Sequence, residues 1–96
     1  MPSPLSESDI ERKICDYAKK HGCLVFKFVS PGHRGVPDRL FICNGVVLFL
    51  EIKRPGKRPT LLQESCIKKL RSQNIAAEWT DSFEGGVYHL KTYLLD

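Results

Sequence analysis

Asn44-Gly45 constrains this chain more than any other feature. The pair sits between two apolar runs, DRLFIC at 38–43 and VVLFLEIK at 46–53. Asn-Gly tolerates the positive φ angles that a two-residue hairpin turn demands. The two runs therefore read as antiparallel strands in fixed register. Counting outward from the turn, 43 pairs with 46, 41 with 48 and 38 with 51. Asp38 and Glu51 then face each other across the ladder, with Cβ atoms roughly 5 Å apart. Residues i and i+2 share a strand face, so Lys53 points the same way as Glu51.

Two opposed carboxylates repel unless a positive charge lies between them. One reading is a hard divalent cation held through oxygen, as Mg²⁺ or Mn²⁺ requires. The other is a solvated pair at the sheet edge with Lys53 as counterion. On the first reading, Lys53 positions a water or offsets charge on a phosphate. Pro37 fixes φ just before Asp38 and marks where pairing starts.

The rest of the chain surrounds this hairpin. Ser6-x-x-Asp9 and Ser8-x-x-Glu11 both resemble capping boxes. Ile10, Ile14, Tyr17 and Ala18 recur at helical spacing, which predicts a helix over 7–21. CLVFKFV at 23–29 predicts a strand, followed by a loop rich in Gly and Pro. The apolar run at 46–53 predicts a central strand buried on both faces. After a basic turn at 54–59, Thr60 caps a helix over 61–73 with Leu61, Leu62, Cys66, Ile67 and Leu70 inward. IAAEWT at 75–80 predicts a fourth strand, parallel to the third because a helix crosses between them. A last helix carries Phe83, Val87, Leu90 and Leu94 on one face, interrupted by Gly85-Gly86. The order α-β-β-β-α-β-α describes an α/β mixed sheet flanked by helices. All 96 residues read as one domain, with 1–5 a loose arm.

The net charge of +4 favours a polyanionic partner. Arg34 and Arg39 flank the carboxylates on one side, together with His33. Arg54, Lys57 and Arg58 follow on the other. Such a collar suits phosphates, so a nucleic acid is the expected partner. His21 and His89 read as ordinary surface residues. The four cysteines form no C-x-x-C pair and read as reduced thiols, consistent with a cytoplasmic, bacterial or phage-encoded protein. No signal peptide or bilayer-spanning stretch is legible. Glu7 and Glu11, one helical turn apart, each offer a third carboxylate. Gln63 falls in the first turn of the second helix.

Together, G-V-P-D at 35–38, E-I-K at 51–53, Gln63, the acidic first helix and the SPG-x-x-G loop resemble the VRR-NUC branch of the PD-(D/E)xK nucleases. The resemblance runs from about residue 7 to 82. It implies a restriction-endonuclease-like αβββαβ core. It implies that Asp38, Glu51 and the Ile52 carbonyl bind Mg²⁺ or Mn²⁺, with Lys53 as the catalytic lysine. Gln63 and a helix-one glutamate are implied as further site residues. Glu7 matches the family's first glutamate, whereas Glu11 sits where archaeal junction resolvases place theirs. Short stand-alone members look like homodimers cutting branched DNA, four-way junctions above all. A flap or nicking enzyme, or a non-catalytic DNA-binding module, are the rival readings.

Overall fold

The computed structural model describes residues 5–95; the expected arm lies mostly in residues 1–4, outside them. Helix α1 (Glu7–Lys20) starts at Ser6, whose hydroxyl accepts from the Asp9 N–H while Asp9 reciprocates at the Ser6 N–H. Of the two possible boxes, Ser6-x-x-Asp9 is the one formed. Ile10, Ile14 and Ala18 form the helix's fully buried stripe. The helix stops at His21, and Gly22 turns away with φ +90°.

Three strands follow, β1 (Leu24–Lys27), β2 (Arg39–Cys43) and β3 (Val46–Ile52). Asn44 and Gly45 both have positive φ, as the hairpin turn requires. The register is the expected one, with Cys43 opposite Val46 and Phe41 opposite Leu48. Helix α2 (Leu61–Ser72) crosses to β4 (Ala76–Thr80), which lies parallel to β3. The sheet order is β1-β2-β3-β4. Helix α3 (Phe83–Leu90) continues into a wider π-type turn over Lys91–Leu95.

One sheet face packs on α1 and α3. Phe41, Leu48, Leu50 and Ile52 meet Ile10, Ile14, Leu90 and Leu94 there. Gly86 permits this approach, since a Cβ there would lie 2.4 Å from Ile14 Cδ1. The Gly-Gly pair that weakens the helical pattern is thus a close-packing device. The apolar side of α3 packs as core, with Leu90 and Leu94 buried.

The opposite face is covered mainly at β4, where Cys66 and Ile67 of α2 are buried. This corrects two expectations. Leu61 is 85% exposed and Leu62 51% exposed, because the first turn of α2 overhangs the sheet end. The β3 strand is fully enclosed only toward its C-terminal end; Val46 is exposed, and Val47 and Phe49 are half-buried. Leu24 and Phe26 of β1 are 58% and 50% exposed.

Among the described residues the outer side of β4 has no strand neighbour, yet its Ala77 and Trp79 carbonyls are occupied. Arg71 Nε donates to the Ala77 carbonyl at 2.8 Å, and His89 Nε2 donates to the Trp79 carbonyl at 3.1 Å. His89 is therefore half-buried and structural, not the free surface residue expected. All four cysteines are free thiols; burial and a hydrogen bond with Cys43 push Cys23 up to about 11.

Candidate active site

The β2–β3 ladder ends at Arg39 opposite Leu50. Asp38 and Glu51 occupy the next step of that register, at adjoining strand ends. Asp38 is held from the other side, since its carbonyl accepts the Phe28 N–H at 2.8 Å. The loop before it is pressed against α2. Gly35 has φ +87°, and a Cβ there would come within 2.8 Å of the Leu62 carbonyl oxygen. Only glycine satisfies both conditions. Pro37 is fully buried. The GVPD string is thus a rigid lead-in that fixes where Asp38 emerges.

Pro37 has a second effect. The Lys53 N–H donates to Thr80 of β4 at 2.8 Å, so Lys53 directs its backbone toward β4. By strand alternation Ile52 directs its own toward β2, where Pro37 stands in register. Proline has no N–H to give. The Ile52 carbonyl is left as an oxygen donor beside the two carboxylates.

Glu51 is 6% exposed. Its nearest cation is Lys53, whose Nζ lies 3.6 Å from Glu51 Oε2. Burial pushes the Glu51 carboxyl up to about 7; the charges of Asp38 and Glu7 add to this, and Lys53 opposes it. One half-buried lysine therefore does not neutralise the acidic groups gathered here.

The two helix-one glutamates differ. Glu11 is paired with Arg39, and both side chains are largely buried. Glu7 is exposed at the start of α1, and its charge acts on Glu51. Gln63 closes a capping box; its Oε1 accepts the Thr60 N–H at 2.9 Å while the Thr60 hydroxyl accepts the Gln63 N–H. Of the basic residues, Arg34, Arg54 and Lys57 are exposed, whereas Arg39 is engaged by Glu11. The 54–59 turn is pinned by the Gly56 N–H, which donates to Asp81 Oδ2 at 3.0 Å.

The donor set of Asp38, Glu51 and the Ile52 carbonyl is all oxygen, crowded with negative charge and rigidly framed. That fits a hard divalent cation which keeps several waters. Among the described residues, no three Asp, Glu, His or Cys side chains form a cage by themselves. Water and a substrate oxygen would complete the shell.

No family model matches the chain. A protein of Acyrthosiphon pisum secondary endosymbiont phage 1, named "Putative nuclease p44", is 47% identical over 60 residues. The match spans 62% of this chain and 64% of that protein, just under two thirds of its length. A solved structure described as "VRR_NUC domain" superposes with a TM-score of 0.80, covering 88% of this chain and 94% of its own at 23% identity. A second, "VRR_NUC domain protein", superposes at 0.79 over 95% and 89%, at 18% identity. The fold is that of the VRR-NUC domain.

In this VRR-NUC fold one residue near the carboxylates went unread in the sequence. Trp79 of β4 stands in register with Glu51, on the neighbouring strand. A lone tryptophan at the end of a strand parallel to the Glu-x-Lys strand was the available signal. Without a known register, it reads as one more apolar strand residue.

Proposed function

We propose that this protein is a Mg²⁺- or Mn²⁺-dependent endonuclease that hydrolyses phosphodiester bonds in branched DNA as a homodimer. The observation that carries the reading is the Asp38–Glu51 step at adjoining strand ends, with Lys53 3.6 Å from Glu51. The VRR-NUC fold and the name of the phage relative point the same way.

Asp38, Glu51 and the Ile52 carbonyl would hold the cation. When bound, it supplies Lewis-acid chemistry, acidifying water and offsetting phosphate charge. Lys53 donates to the attacking water or to a phosphate oxygen, stabilising charge as it develops. Arg34, Arg54, Lys57 and Arg58 contact the backbone phosphates flanking the cut. Burial of Glu51 limits solvent at the reacting centre and strengthens these interactions. Water is the nucleophile, so no covalent enzyme intermediate is required.

Labelled four-way junction, flap and plain duplex, each with Mg²⁺ and with EDTA, test this directly. Metal-dependent cutting of the junction, weaker on flap and duplex, is expected. Bound but uncut DNA of every form would leave a binding module in its place.

Glu7→Gln is expected to slow cleavage on the order of tenfold or more, by analogy with general catalytic contributions. Glu11→Gln should cost less, because Glu11 is committed to Arg39. The reverse ranking in single-turnover rates would transfer the site role to Glu11.

The dimer reading draws support from the open side of the sheet. Leu24 and Phe26 are exposed there, beside half-buried Leu40, Ile42, Val47 and Phe49. Such a face is ordinarily covered. Two-fold packing of this face against itself needs no charge complementarity. Sedimentation should show a dimer in the wild type and a monomer in Phe26→Glu. A dimer unaffected by that change places the interface elsewhere.

A further inference from the structure

Trp79 is the only tryptophan of the chain, and it lies outside the hydrophobic core. It is half-exposed and stands in register with Glu51, one strand away. Paired strands lie about 4.8 Å apart, so Trp79 springs from the strand position next to Glu51. The Arg58 guanidinium carbon sits 5.4 Å from the centroid of the indole ring. Arg58 is otherwise held only by Glu64 at 3.9 Å, and its side chain is 73% exposed.

Trp79 also lines a cleft of about 530 Å³ between α2 and α3. That volume lies in the range that takes a small organic ligand. Two of its acidic residues are already engaged. Glu78 accepts from Arg71 and from Tyr93, and Asp81 accepts from the Gly56 N–H. Lys68, on the same cleft, has no ion-pair partner among the described residues. An aromatic platform flanked by exposed cations matches an unpaired nucleotide, whose base stacks while its phosphate is neutralised.

We propose that Trp79 and Arg58 form a subsite for an unpaired nucleotide adjoining the scissile phosphate. The base stacks on the indole and takes the ring face that Arg58 covers. Arg58 moves to the nucleotide's phosphate, assisted by Lys68. Substrates with unpaired bases beside the cut, such as branch points and flaps, are then selected over continuous duplex. The proposal rests on the nuclease reading for its meaning, though its test does not require cleavage.

Tryptophan fluorescence reports on Trp79 alone. The full-length protein in EDTA is titrated with a ten-nucleotide oligothymidylate and, separately, with a blunt 20-base-pair duplex. Oligothymidylate is expected to quench the emission by about half, and the duplex far less. Trp79→Ala should weaken oligothymidylate binding on the order of tenfold and leave duplex binding within twofold, while Trp79→Phe retains most of it. Unmoved fluorescence on saturating oligothymidylate overturns the subsite. So does an equal loss on both DNA forms in Trp79→Ala, which would make the indole a packing residue. Quenching without metal-dependent cutting of any DNA would remove the nuclease reading and leave the nucleotide subsite standing.

Discussion

Glu51→Gln will abolish cleavage and at the same time stabilise the metal-free protein. The two effects share one cause. Glu51 is enclosed at the strand end beside Asp38, with Lys53 as its nearest cation. Its carboxyl titrates at about 7 in the fold, against an ordinary value of 4.5. The folded state therefore binds the proton more tightly than the unfolded chain. Below pH 4.5 both states are protonated and nothing is lost. Between 4.5 and 7 the unfolded chain ionises first, and stability falls as pH rises. Above 7 the full deficit remains. Allowing for solvent screening, it is on the order of 2 kcal/mol. Glutamine removes that deficit, so at pH 8 in EDTA the variant should melt roughly 10 °C higher. Near pH 4 the two proteins should melt together. On the proposed function the same substitution also removes a charged metal oxygen, a loss of several kcal/mol in transition-state stabilisation. Asp38→Asn should also abolish cleavage. DNA binding should survive in both variants, since the proposed function assigns affinity to the basic residues. Substantial Mg²⁺-dependent cutting by folded Asp38→Asn would end the nuclease assignment.

Lys53→Ala should lower the single-turnover rate on the order of 10²-fold or more. Lys53 shares a strand face with Glu51 but cannot ligate a cation while protonated. Its effect therefore falls on the chemical step more than on metal affinity. Its removal also strips Glu51 of its nearest positive partner, so the pH-dependent loss of stability should deepen in the variant. A near-native rate with the lowered melting temperature would reduce Lys53 to a counterion.

The hairpin was legible because Asn44-Gly45 fixes a register by counting, and the register alone brings Asp38 beside Glu51. The αβββαβ order was legible for the same local reasons: Ser6 and Thr60 cap helices, and strands end where Gly and Pro begin. Leu61 and Leu62 could not be placed from periodicity, because apolar spacing gives a helix face but not how far the sheet extends beneath it. The Gly85-Gly86 pair reads as a weak helix until Ile14 is known to press against it. Trp79 was hidden for a related reason. Its neighbour Glu51 is 28 positions earlier in the chain. Only a parallel register, which no turn sets, brings them together. The VRR-NUC resemblance came from GVPD and E-I-K, motifs that the β2–β3 register sets at adjoining strand ends.

The side chains of Arg71 and His89 do more than fill the outer carbonyls of β4. A bare sheet edge is a template on which another molecule can add a strand, and then another. Here each outward-facing carbonyl along Ala77–Trp79 already has its donor. A strand arriving from a second copy would find these two acceptors already taken by a guanidinium and an imidazole. Two side chains thus blunt the edge, and the same two line the cleft on which Trp79 stands.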